Sequence, residues 1–192
     1  MNLNLRTRAT VKTQLGIDTV KYDADIDAML PVVSADVRRI LCNEYNRYCL
    51  AVFSTSAATI DFGLVSLMRE LDPRAMTPLL KLGTVVVHSY LPDDTYLQSY
   101  NPVNNLFTLS ATPTGTGDYV YPTVNISQWP AISKMIWYRI TKMNTTSATE
   151  SKLSSYSYGP ISKTFSDSEI NKKWNYPQAL IDDLGPIYAE VG

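Results

Sequence analysis

Apolar residues recur at intervals of three and four along two long stretches of the chain. Over residues 24–44 they are Ile26, Met29, Leu30, Val33, Val37, Ile40 and Leu41. Over 124–143 they are Ile126, Trp129, Ile132, Met135, Ile136, Ile140 and Met143. That spacing lines one face of a helix, so it predicts two amphipathic helices. Asp23 stands where the first would be capped. Pro31, inside it, predicts a kink or a division, because the ring clashes with the preceding turn. Pro130 falls early in the second, where proline is best tolerated. A short helix is expected over 8–15, with Val11 and Leu15 on one face and Gly16 as a left-handed cap. Another begins near Pro177, carries Leu180, Ile181 and Leu184, and ends at Gly185-Pro186.

Between the two long helical stretches the pattern changes to short β-branched and aromatic runs. Strands are expected over 48–53, 59–62, 84–90, 96–100, 106–110 and 118–121, with two helical turns over 64–71. The separators Pro92-Asp93-Asp94, Asn101 to Asn105 and Thr112 to Gly117 are turn chemistry. These elements add up to an α+β fold that is mainly α. It is a helical bundle with an inserted small antiparallel β element and an extended C-terminal arm. Residues 1–53 and 121–144 would form the helical core, 54–120 the β-rich insertion, and 145–192 the arm with its short helix.

The chain has 192 residues, of which 45% are hydrophobic, enough for a real core and against wholesale disorder. Charged residues are only 18%, while 17 Ser and 19 Thr keep the surface polar. A polar, weakly charged surface suits extensive protein contact. Net charge is −1, so no basic excess exists to neutralise phosphates, and tight nucleic-acid binding is not expected as the main task. The longest apolar runs are far short of the roughly 20 residues needed to cross a bilayer, and residues 1–6 lack a signal-peptide layout. A soluble protein made in a reducing compartment is the expectation, with Cys42 and Cys49 as small buried hydrophobes.

Catalytic chemistry finds little footing. His88 is the only histidine, and it stands in the Val-rich run 84–90, where a packing role is expected. No phosphate cradle, dinucleotide fingerprint or nucleophile elbow is present. Three Cys and His residues in total do not make a zinc site. The acidic groups Asp93-Asp94, Asp182-Asp183 and Asp23/Asp25/Asp27 read as solvated turns or as first-turn charges that favour a helix dipole. No enzyme, catalytic residue, cofactor or metal is expected. Tyrosine is more informative: 13 Tyr stand against 4 Phe, and tyrosine is enriched at interfaces. In Ser155-Tyr-Ser-Tyr158 the aromatic positions alternate. Tyr156 and Tyr158 therefore share a strand face, which either packs on its own domain or pairs with a neighbouring subunit.

Several pieces fall in a particular order. Val11-Lys12-Thr-Gln-Leu15-Gly16-Ile17 is followed by Asp25-Ile26 through Leu41-Cys42, then by Tyr121-Pro122 through Met143. Ser155-Tyr-Ser-Tyr158-Gly159-Pro-Ile-Ser162 and Tyr176-Pro177-x-x-Leu180-Ile-x-x-Leu184 complete the series. Together they cover roughly half the chain, and in this order the chain resembles the bacteriophage head-tail connector family, the adaptors that complete the DNA-filled head. Residues 54–120 follow no part of that pattern. The resemblance implies a homo-oligomeric ring of about twelve copies in the virion neck. The ring would dock on the portal protein at one end and on a tail-side neck or tail protein at the other. DNA would pass through its channel as cargo, and no membrane would be involved. A tail-completion or tail-tube ring component is the alternative, and a small hydrolase with a carboxylate site a more distant one.

The same reading places the docking surface in the C-terminal arm. Residues 145–158 are too polar to be buried alone. Tyr156, Tyr158, Ile161, Phe165, Trp174, Leu180, Leu184, Ile187 and Tyr188 are too apolar to stay exposed, and Val191 follows close to the end. Ordering against the portal or a neighbouring subunit is the expectation for such a segment.

Overall fold

A proline sits inside the first long helix, and the helix runs through it. In the computed structural model α2 spans Asp23–Leu41 as one element with Pro31 within it. The cost is local, since Pro31 has no N–H to offer the carbonyl one turn earlier. The structure describes residues 4–41, 48–63, 80–144, 155–158, 161–164, 170–171 and 173–185. They form two compact units, one from the two ends of the chain and one from its middle, meeting in sequence near residues 42 and 129.

The first unit is helical. α1 (Arg8–Leu15) starts with a capping box in which Thr7 and Thr10 exchange hydrogen bonds, and it stops at Gly16 with φ +65°. A 3-10 turn over Val20–Tyr22 leads into α2. The pair is fastened by Lys12 on Asp23 and Arg8 on Asp27, both at 2.6 Å, and by the Leu5 N–H on the Ser34 hydroxyl at 3.0 Å. α3 (Trp129–Asn144) carries Ile132, Met135, Ile136 and Ile140 as its buried row. The expected start near 124 moves to 129 because Asn125 opens a capping box with Gln128, which winds Ile126–Gln128 into a 3-10 turn first. After α3 come the hairpin β7 (Ser155–Tyr158) and β8 (Ile161–Thr164), then β9 (Ile170–Asn171), β10 (Tyr176–Pro177) and α4 (Gln178–Asp182).

The second unit overturns the expectation of a mainly α bundle with a small β element. Its six strands are β1 (Cys49–Phe53), β2 (Thr59–Asp61), β3 (Thr84–Val87), β4 (Leu97–Asn101), β5 (Leu106–Leu109) and β6 (Gly117–Asn125). They form one antiparallel sheet in the order β3-β6-β1-β2-β5-β4. The two outer strands then meet. Val85 bridges Tyr96, the Val86 N–H donates to the Thr95 carbonyl at 2.9 Å, and the Gly83 N–H donates to that of Leu97 at 2.7 Å. A nearly closed barrel results, filled by Phe53, Ile60, Val86, Leu97, Phe107, Leu109 and Val120.

Two local readings had hidden it. The run 48–53, expected as a strand but grouped with the helical core, contains β1, and Tyr121-Pro122, grouped with the following helix, lies within β6. Pro122 stands opposite Val86, where the β3–β6 register shifts, so its missing N–H falls at an irregular rung. The expected helix over 64–71 lies outside the described residues.

Candidate functional site

Strand β1 is apolar on both sides. Cys49, Ala51 and Phe53 point into the barrel, and Leu50 and Val52 point out, 63% and 64% exposed. Tyr48, just before the strand, is exposed too. A strand with one solvated face normally alternates apolar with polar, so the doubled pattern marks a face that expects cover. The neighbouring strand β6 extends it. Leu50 pairs with Tyr119 in the β1–β6 register, and Tyr121 follows two residues on, pointing the same way as Tyr119. The three tyrosines stand edge to face: Tyr48–Tyr119 at 6.1 Å, Tyr48–Tyr121 at 6.3 Å and Tyr119–Tyr121 at 5.8 Å between centroids.

His88 closes one end of this cluster. It lies just past β3 and is buried, with its ring 5.1 Å from Phe53 and 4.8 Å from Tyr119. Its Nδ1 accepts the Tyr90 N–H at 3.1 Å. The space it occupies depends on Gly117, where a Cβ would run into the Phe53 ring and come within 3.1 Å of His88 Cε1. Tyr90, half-exposed, lies across Gly115, whose Cβ would come within 2.6 Å of the Tyr90 ring. Imidazole and phenols are therefore set by packing into one aromatic cluster. Among the described residues no group of three or more His, Cys, Asp or Glu side chains could hold a metal.

The helical unit has a built polar site of a different kind. Asp36 on α2 accepts from Arg139 Nη2 on α3 at 2.8 Å and from the Tyr176 hydroxyl on β10 at 2.7 Å. Arg139 Nε donates to that same hydroxyl at 2.8 Å, and the guanidinium sits 4.5 Å from the Tyr176 ring centre. Burial pushes the Tyr176 hydroxyl well above the ordinary tyrosine range. Arg139 is also held above its usual value: burial opposes its charge, and Tyr176 and Asp36 more than compensate. One turn on, Lys142 is lowered by burial and by repulsion from Arg139, and its ammonium donates to Asn175 at 2.6 Å. These contacts make a clasp that pins the C-terminal segment to the helices.

No family model, curated protein or solved structure matches this chain.

Of the docking residues expected in the C-terminal arm, the structure describes the side chains of Leu180 and Leu184. Leu180 and Leu184 are buried in the helical unit with Ile181 and Tyr176, and Trp174 is half-buried there. The chain itself covers them. Ser155–Tyr158 pairs with Ile161–Thr164 of the same chain, with Tyr158 opposite Ile161 and Tyr156 opposite Lys163. Phe165, Ile187, Tyr188 and Val191 lie outside the described residues, as does Cys42. Cys49 is buried in the barrel. Sequence reasoning missed the outer face of the barrel. Its signal was present in Tyr48-Cys-Leu-Ala-Val-Phe53, a run apolar at every position where a half-exposed strand alternates.

Proposed function

We propose that this protein is a structural subunit of a phage virion, the head-to-tail adaptor that forms a ring beneath the portal. The observation that carries this reading is the apolar and aromatic outer face of Tyr48, Leu50, Val52 and Tyr119, all exposed, with half-buried Tyr121 beside them, a surface of the composition that subunits bury against one another. The order of the chain's elements supports it, with a helical pair before the barrel and a long helix and a Tyr-Pro-led helix after it. The role is one of contact and passage rather than catalysis. DNA moves through the ring without being gripped, in keeping with a net charge of −1.

A tail-completion or tail-tube component is the second reading, and the nearly closed six-stranded sheet favours it, since a sheet-dominated core is what such a subunit needs. One size measurement separates the two. Mixed with purified portal, an adaptor elutes with the portal ring, whereas a tail component elutes with assembled tail tubes and leaves the portal alone. A chain that joins neither sinks both readings.

A further inference from the structure

One hydrogen bond in the barrel depends on the charge of a buried ring. The Tyr90 N–H donates to His88 Nδ1 at 3.1 Å. A backbone N–H can only donate, so Nδ1 offers its lone pair and the neutral ring carries its proton on Nε2. An imidazolium has protons on both nitrogens and accepts nothing. The bond therefore exists with the neutral ring alone, and a second proton has to break it. Burial keeps water from taking over the Tyr90 N–H while the ring stays in place, since His88 is only 7% exposed.

More than one bond hangs on that ring. The Tyr90 carbonyl accepts the Thr114 N–H at 2.8 Å and the Thr114 hydroxyl at 3.1 Å. The Tyr90 ring lies close against Gly115, and Pro113 is buried. Residues 110–116, which join β5 to β6, thus rest on Tyr90, and Tyr90 rests on His88. What faces the imidazole decides how it takes a charge. From β1 it meets Phe53, from β6 Tyr119 and Gly117, and from its own turn Tyr90. Tyr90 and Tyr119 are the titratable side chains among these, and a phenol has no charge to offer in mild acid. Asp118, beside Tyr119 in sequence, is exposed, and no carboxylate pairs with His88 among the described residues.

We propose that His88 is an acid-sensitive latch on the segment 110–116. Neutral, it holds Tyr90 and, through Tyr90, the segment. With a second proton it lets both go, while the ring stays between Phe53 and Tyr119, aromatic neighbours that can hold a cation. The opening is local, because the barrel closes through backbone bonds at Gly83 and Val86 in which the imidazole takes no part. The closed form accommodates the neutral ring only, and the open form either, so acid favours opening. Each pH unit below ~6.5, where a free imidazole ionises, raises the open share by up to about tenfold. The latch stands whether or not the chain is a neck protein.

Amide hydrogen exchange of the full chain tests this, compared between about pH 7.5 and pH 5 and corrected for the intrinsic effect of pH on exchange. In the parent, the Tyr90 and Thr114 amides should lose about tenfold or more of their protection at the lower pH. Amides within β1 and β6 should keep theirs. His88→Asn places an amide oxygen where Nδ1 stands, and that oxygen accepts at either pH. In this variant the Tyr90 and Thr114 amides should be equally protected at both. If His88→Asn does not fold, the contrast within the parent, between these two amides and those of β1 and β6, decides alone. The proposal is overturned if the parent keeps its protection at Tyr90 and Thr114 in acid, or if His88→Asn loses it to the same extent. It is overturned as well if β1 and β6 open together with them, because His88 would then take part in a general acid unfolding and latch nothing.

Discussion

Tyr176 gathers more of the helical unit's chemistry than any other side chain described. Its ring is fully buried, its hydroxyl donates to Asp36 and accepts from Arg139, and the guanidinium lies against its face. Tyr176→Phe keeps the ring and leaves Asp36 and Arg139 paired with each other. The expected loss is about 1.5–3 kcal/mol, the worth of hydrogen bonds to charged groups, read from the urea midpoint at pH 8. The alkaline side provides a sharper check. An unfolded tyrosine ionises near ~10, whereas burial holds Tyr176, and to the same side Tyr138, above that value in the folded chain. Below pH ~10 both states keep the proton and the contribution is fully present. Above it the unfolded state releases the proton first, so stability falls as pH rises. The parent should therefore lose more between pH 8 and 11 than Tyr176→Phe does. Equal losses would mean that Tyr176 is not buried in this way.

At the scale of elements, helices and strands were unequally legible. The row Ile132, Met135, Ile136, Ile140 specifies α3 by itself, because a helix makes its hydrogen bonds within four residues and its period is written in one segment. Ile136 is buried, and Ile136→Asp should cost about 3–5 kcal/mol, the penalty of an unpaired charge in a core. A variant melting within a degree or two of the parent would remove Ile136 from the core. Each of the six strands of the second unit was also recognisable, yet the barrel was not. Its closure depends on Val85 meeting Tyr96 and on Gly83 bonding to Leu97, pairings that no local pattern records. Nor did the pattern show that Pro122 could lie within β6, since a proline before an apolar helical row is an ordinary helix opening. Closure has a measurable signature. The amides of Gly83 and Val86 should exchange with deuterium as slowly as those within β1 and β6. Exchange at loop rates would mean an open sheet whose outer strands are edges.

For the whole molecule, the aromatic face is the proposed contact surface, and the clasp at Tyr176 holds the C-terminal segment. The apolar residues that made the arm look like a docking device include Leu180 and Leu184, and the chain buries both itself. Removing 186–192 spares every described residue, down to Leu184 and Gly185. The truncated protein should melt within ~2 °C of the parent, no more than the loss of about 1 kcal/mol gives a chain of this size. If it melts much lower, the last seven residues belong to the core, and the clasp at Tyr176 is not where the C-terminal segment is held.

The position of His88 has one more use. It is the only imidazole in 192 residues, and it is wedged between Phe53 and Tyr119 at the border of the exposed aromatic face. Its ring protons would therefore form an isolated signal in a proton magnetic resonance spectrum, shifted by the ring currents of its neighbours. Anything that comes to rest on that face moves Tyr119 and, with it, this one line. The protein carries a built-in spectroscopic reporter at the surface where it is proposed to meet other subunits, and the reporter needs no label.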